Sequence, residues 1–213
     1  MDIAKLTEEQ VRLAKKVITK DDFSQLATIG GADIAYIQDQ MVATVVVLDF
    51  KTLTLLEKKH IVTKPKIQYI PSFLSYREAT PIIEAFTLLQ TKPDILVVDS
   101  NGILHPRRIG CASHIGLLLD LPTIGVAKNQ SCGVLKEDKI YLDDKPVAIR
   151  LHTKQHSNPL IISPGHRISL KTSTQIIQQC LIPGKKLPEP LRLAHKFSLQ
   201  KKTELSPNHF HKV

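Results

Sequence analysis

Cysteine is scarce in this sequence of 213 residues: Cys111, Cys132 and Cys180 lie far apart and form no C-x-x-C pair. That spacing supports neither a disulfide framework nor a zinc site, and it fits a reducing compartment. Long apolar runs are missing as well, since no stretch approaches the length of a membrane span. The N-terminus, MDIAKLTEEQVRLAKKV, mixes charged and apolar residues where a signal peptide would carry an uncharged core. A cytoplasmic protein without membrane association is the expectation. Acidic residues are almost absent from the last third: residues 145–213 hold 2 Asp+Glu against 12 Lys+Arg, while residues 1–144 hold 18 against 17. The whole excess behind the net charge of +9 is therefore C-terminal. A surface that grips a phosphate backbone by counterion release would use such asymmetry, and a solubilising tail would give the same count. No internal repeat and no linker interrupts the chain. With 42% hydrophobic residues it is long enough for one substantial core and too short for a second full domain.

Apolar residues recur at helical spacing over 6–18, which predicts an amphipathic entry helix on the outside of a sheet. Three runs of strand composition follow at 27–37, 41–50 and 52–63, separated by short polar breaks, and predict an antiparallel meander. The pattern then changes to alternation: a helix over 75–89, the short buried strand DILVVD over 94–99, a helix over 110–119 and a strand over 122–127. Alternation calls for parallel pairing through right-handed crossovers. Further strands are expected at 139–142, 146–152 and 160–163, and helices at 172–181 and 189–199. The predicted class is α/β, a mixed sheet of ribonuclease H-like outline with an antiparallel meander, parallel strands and helices on both faces. It forms one domain over 1–199, followed by a basic, flexible C-terminal tail over 200–213.

Asp33 sits in the otherwise apolar run TIGGADIAY, after a pair of glycines. A buried carboxylate needs a partner, and a cation is one candidate; strand alternation could equally point it to solvent. Asp99 ends the strand ILVVD, at the strand end where ligands gather in open α/β sheets, but Ser100, Asn101 and Gly102 also make it a plausible turn residue. Glu78 follows Ser75 by three positions at a helix start, the spacing of an ordinary capping box. Taken together, the three acids supply the hard oxygen ligands with which phosphodiester hydrolysis fixes Mg²⁺, whereas nothing in the sequence favours zinc. His105, Arg107 and Arg108 in HPRR would bring an imidazole and two guanidiniums to that site for phosphate, or form a plain solvated loop. Lys128 is a phosphate-charge stabiliser or a surface lysine. The apolar turn YIPSFL over 69–74 reads as a wedge for prising bases apart or as a hydrophobic plug on a helix end.

The runs GADIAY, YIPSFLSYRE, PDILVVDSNGILHPRRIGCASHIGLLLDLPTIGVAKN, NPLIISPGHRISL and LPEPLRLAH, in this order, resemble the endonuclease V family and cover most of residues 29–195. The resemblance implies a ribonuclease H-like fold and a repair enzyme that acts on DNA containing deoxyinosine. It would use Mg²⁺, with Mn²⁺ able to substitute, and cut the second phosphodiester bond 3′ to hypoxanthine, leaving 3′-hydroxyl and 5′-phosphate ends. It further implies Asp33, Glu78 and Asp99 as catalytic acids, with Asp33 and Asp99 as metal ligands, and His105, Lys128 and His195 as further active-site positions. Tyr69, Ile70 and Pro71 match the strand-separating wedge, with Arg107 assigned to DNA contact beside them. Leu74, Ser100, Gly102 and Cys111 fall where the flipped base is enclosed. Three positions depart from the family pattern: Gln68 replaces the Pro that opens the wedge, Ser72 replaces a Gly, and Ser100 replaces a Gly whose backbone would approach the base closely. The alternatives are an inosine-RNA endonuclease and a non-cleaving inosine-binding module. A monomer is expected.

Overall fold

The computed structural model describes residues 2–205. Helix α1 (Ile3–Ala14) begins where the Asp2 carboxylate accepts the Ala4 and Lys5 N–H groups at 3.1 and 3.2 Å, earlier than the apolar spacing suggests. Its buried residue is Gln10, so it docks through polar contacts instead of lying flat on the sheet. Strands β1 (Thr28–Ile37), β2 (Gln40–Asp49) and β3 (Leu55–Thr63) form the expected antiparallel meander. Helix α2 (Leu74–Thr87), β4 (Ile95–Val98), α3 (Cys111–Leu119) and β5 (Thr123–Ala127) supply the alternating part, and β4 pairs in parallel with both β1 and β5.

The second half departs from simple alternation. Strands β6 (Val134–Lys136), β7 (Lys139–Leu142), β8 (Lys145–Leu151) and β9 (Leu160–His166) run antiparallel to one another, and β9 also pairs antiparallel with β5. The resulting sheet has nine strands in the order β3-β2-β1-β4-β5-β9-β8-β7-β6. Strand β6 is exposed at every position, so it carries no alternation for a sequence pattern to reveal. Helix α4 (Leu170–Gln179) is capped by Ser169, and α5 (Glu189–Glu204) closes the described part of the fold. Residues 200–204 continue α5, which contradicts the flexible tail expected from residue 200; the rest of that expected tail, residues 206–213, lies outside the described residues.

Two cores flank the sheet. Ile95 and Val97 of β4 point to a layer built with Ile176 of α4 and Leu191 and Ala194 of α5. Leu96 and Val98 point the other way, to Ala79 and Ile82 of α2 and Ile115 of α3. Burial on both faces explains why β4 reads as an unbroken apolar run, and each fully buried Ile or Leu contributes about 1.5–3 kcal/mol. Close approach sets the height of α5 above the sheet: a Cβ on Gly31 would lie 2.2 Å from the Pro190 carbonyl oxygen. Nothing larger than glycine lets the start of α5 rest on β1.

Candidate active site

The parallel pairing of β1 and β4 ends at Ala32 beside Val98, and β1 continues past it. The Asp99 N–H then donates to the Ala32 carbonyl at 3.1 Å, which carries the register one step further and sets Asp99 next to Asp33. Strand alternation gives both side chains the face that carries Val97 and Ile29, the face covered by α5. Asp33 is 5% exposed, so the solvent-facing alternative fails. Its Oδ2 accepts a hydrogen bond from Ser198 Oγ at 2.5 Å and lies 3.2 Å from His195 Nδ1, both on α5. On the next strand, Lys128 follows the end of β5 and places its Nζ 2.7 Å from Asp99 Oδ2. Strand order β1-β4-β5 thus becomes the row Asp33, Asp99, Lys128.

Glu78 joins this row from α2. The helix starts at Leu74 with Phe73 as its N-cap and no side-chain cap bond, so the capping-box account of Glu78 does not hold. Its carboxylate is buried and accepts the Tyr36 hydroxyl at 2.5 Å. Burial pushes the Glu78 carboxyl up to about 7; the Tyr36 hydrogen bond opposes the shift, and the charges of Asp33 and Asp99 add to it. Burial also raises the Asp99 carboxyl, with Lys128 pulling it down and Asp33 pushing it up. The three acids therefore act on one another electrostatically, although they come from two strands and a helix. No three His, Cys, Asp or Glu side chains among the described residues already form a metal cage. Asp33 and Asp99 offer two hard oxygen donors, and Mg²⁺ commonly takes one or two carboxylates and completes its shell with water and phosphate oxygens.

His105 is not part of that row. Its Nε2 donates to the Ser72 carbonyl at 2.9 Å while its Nδ1 accepts the Arg107 N–H at 3.2 Å, a pattern that assigns the neutral tautomer. Burial holds its imidazole below the usual value, in keeping with that form. The same carbonyl accepts Gln10 Nε2 at 2.9 Å and Arg107 Nη2 at 3.2 Å. Arg107 also binds Gln10 through Nε and lies over the Phe73 ring at 4.6 Å, and Arg108 bonds the Leu142 carbonyl. The guanidiniums expected beside the acids are engaged elsewhere. Three donors converge on one carbonyl because Ser72 adopts φ 67, a left-handed conformation that glycine takes most readily. Tyr69, in the segment held by this clamp, is 64% exposed, while Phe73 takes the place of the buried plug.

Between this segment and α3 lies a cavity of ≈ 130 Å³, lined by Tyr69, Leu74, Ser100 and Cys111 among others. Gly102 does not line it: its N–H donates to Ser163 Oγ at 2.8 Å, and a Cβ there would meet the Pro164 carbonyl oxygen at 2.0 Å. That glycine serves packing against β9. Sequence reasoning missed Ser75 and Asn101, which line the cavity and whose buried Oγ and Oδ1 have no hydrogen-bond partner among the described residues. It also missed Ser198 and Tyr36, whose partners are distant in sequence and give no local signal.

A mixed sheet of this topology with clustered acids at its parallel strand ends defines a hydrolase of the ribonuclease H-like nuclease class. No helix among the described residues is long and apolar enough to cross a membrane. The endonuclease V family model matches residues 11–196, and the chain belongs to that family. It is 44% identical over 203 residues to endonuclease V of Dictyoglomus thermophilum, covering 90% of this chain and 89% of the relative. The crystal structure of the Bacillus subtilis endonuclease V superposes with a TM-score of 0.89 at 30% identity, covering 98% of this chain and 95% of that one. Endonuclease V of Ciona intestinalis, crystallised with a 23-mer DNA containing an inosine followed by a ribo-adenosine, matches at TM-score 0.85 and 28% identity, over 96% of this chain and 98% of that one.

Proposed function

We propose that this protein is a Mg²⁺-dependent endonuclease that recognises hypoxanthine in DNA and hydrolyses the second phosphodiester bond 3′ to it, leaving 3′-hydroxyl and 5′-phosphate ends. It works as a cytoplasmic monomer, and Mn²⁺ can replace Mg²⁺. The observation that carries this reading is the side-by-side placement of Asp33 and Asp99 on one sheet face, with Lys128 on Asp99 and a Glu78 carboxyl raised by burial and further by both acids. Clustered buried carboxylates held by one lysine are costly unless a cation joins them, and their oxygens are the donor type that Mg²⁺ takes. Bound there by Asp33 and Asp99, the ion would polarise the phosphate and lower the pKa of an attacking water.

The remaining chemistry belongs to the chain. Lys128 balances charge on the phosphoryl oxygens next to Asp99. Ser198 and His195 hold Asp33 in orientation, and His195, whose side chain is 42% exposed, keeps Nε2 available to exchange a proton at the scissile phosphate. Tyr69, Ile70 and Pro71 enter the stack, and the clamp of His105, Gln10 and Arg107 on Ser72 keeps them in place. The extruded base occupies the cavity between Leu74, Ser100 and Cys111, where Ser75 and Asn101 offer hydrogen bonds. The test is cleavage of an oligonucleotide with one deoxyinosine in Mg²⁺, beside an adenine control, an inosine-RNA strand and an Asp99→Asn variant. Cutting of the deoxyinosine strand, abolished in the variant, is expected; cutting of the inosine-RNA strand in its place overturns the DNA reading in favour of an inosine-RNA endonuclease. Equal cutting of the adenine control overturns the lesion reading, and an active variant overturns the assigned acids.

A further inference from the structure

The acid row continues beyond Asp33. Asp33 is the register partner of Thr44 on β2, and Thr44 is the partner of His60 on β3. Directly paired residues share a face, so Asp99, Asp33, Thr44 and His60 form one line across four neighbouring strands beneath α5. At about 4.8 Å per strand, His60 lies roughly 10 Å from Asp33. At that end of the line, the last turns of α5 and strands β2 and β3 enclose a separate cleft of ≈ 70 Å³, lined by Thr44, Lys58, His60, Phe197, Lys201 and Glu204 among others.

Thr44 at its floor is 1% exposed, and its Oγ1 has no hydrogen-bond partner among the described residues. A buried hydroxyl left unsatisfied is destabilising, and a ligand oxygen in the cleft that accepts its hydrogen bond would relieve this. The walls are cationic. Lys58 Nζ stands 3.8 Å over the Phe197 ring, and Lys201 reaches Glu204 at 3.1 Å. Burial and the charges of Lys201 and Lys58 depress the His60 imidazole, with Glu204 opposing them. Lys59, the other lysine at the cleft, is tied to Glu57 at 3.4 Å. A buried hydroxyl below two ammonium groups is a fit for a phosphate oxygen, and the single carboxylate of Glu204 moderates it.

We infer that this cleft is a phosphate subsite, which holds the backbone of the bound strand on the 3′ side of the scissile bond. The direction rests on the function proposed above: the cavity for the base lies at the β4 and α3 side, the acids lie in the middle, and the cut falls 3′ to the base. A strand that leaves the base cavity and passes the Asp99–Lys128 pair can run along α5 past the half-exposed His195 and next reaches the mouth of the cleft, with Lys58 and Lys201 on its walls. The subsite grips the strand that will carry the new 5′-phosphate, and it adds to affinity without reading sequence.

The test is a linkage scan. Single-stranded oligonucleotides with one deoxyinosine carry a neutral methylphosphonate at successive positions counted from the inosine, and Kd is measured by anisotropy in Ca²⁺. In the wild type, one linkage beyond the second on the 3′ side should raise Kd by about 10-fold or more when neutralised. Thr44→Val with Lys201→Gln should lose a similar factor on the all-phosphate strand and nothing further at that linkage. Lys201→Gln alone, on an accessible face, should show a partial version if the double variant folds poorly. Glu204→Gln should tighten binding severalfold, an effect that a merely structural role would not produce. Undiminished sensitivity of the variants at that linkage, or a sensitive linkage only on the 5′ side, overturns the subsite. Equal Kd for inosine and adenine strands, with Lys201→Gln still weakening and Glu204→Gln still tightening both, would instead refute the lesion reading and leave the phosphate subsite standing.

Discussion

Replacing Glu78 with Gln should make the metal-free protein more stable while it destroys activity. The ordinary carboxyl value of 4.5 rises to about 7 in the fold, chiefly through burial and partly through the charges of Asp33 and Asp99. A carboxyl whose folded value lies above its unfolded one binds its proton more tightly when folded. Its contribution to stability is therefore fully present below about pH 4.5, declines as pH rises, and is lost above about pH 7. At about 1.4 kcal/mol per unit the whole decline amounts to about 3 kcal/mol, as an upper bound. Glutamine keeps the shape and can still accept the Tyr36 hydroxyl, but it has no proton to lose. Urea unfolding in EDTA from pH 4.5 to 8 should therefore show variant and wild type converging at the acid end. They should separate by up to about 3 kcal/mol at the alkaline end, in favour of the variant. A difference that does not change with pH would refute the reasoning, because it would come from packing and not from the ionised carboxylate.

Ser198→Ala removes the hydroxyl that orients Asp33, and should raise the half-saturating Mg²⁺ concentration for cleavage by about 10-fold or more, measured in a metal titration. Gly31→Ala would force a Cβ to within 2.2 Å of the Pro190 carbonyl oxygen and lift α5, with His195 and Ser198 on it. Thermal unfolding should report a loss of about 1–3 kcal/mol, and cleavage should fall more than stability does. Ser72→Val places a branched side chain at φ 67 and should cost about 1–2 kcal/mol in a urea titration, whereas Ser72→Gly should be tolerated.

The parts of the fold that the sequence revealed are those where burial leaves a pattern. The β1–β3 meander and the short run ILVV are legible because strand faces alternate or are wholly apolar. Strand β6 is not, since every residue of it is exposed, and the antiparallel return of β9 beside β5 is set by partners that the local sequence does not name. The same division runs through the site. Asp33 and Asp99 stand out as charges within or at the end of apolar runs, whereas Glu78, beside Arg77, does not. Only the family resemblance puts Gly102 beside the base, and no local pattern announces that its close neighbour is the Pro164 backbone.

His105 shows why the harder part of a site stays hidden. Its chemistry, an imidazole a few residues past the carboxylate of Asp99, is what a general acid or base would look like in sequence. The atom it serves is a backbone carbonyl, and carbonyls have no sequence signature. Only the fold reveals that Gln10, His105 and Arg107, from two distant segments, converge on the oxygen of Ser72. The convergence has a physical reason: the exposed Tyr69 sits on a segment whose backbone is fixed at Ser72, and φ 67 there turns the carbonyl toward its three donors, which suits the wedge proposed for 69–71. His105 is thus a positioning residue for the 69–71 turn. In its neutral form it keeps Nδ1 for the Arg107 N–H and Nε2–H for Ser72; protonation would leave Nδ1 unable to accept and would break the first of these bonds. Burial, which depresses its protonation, therefore also keeps the clamp closed.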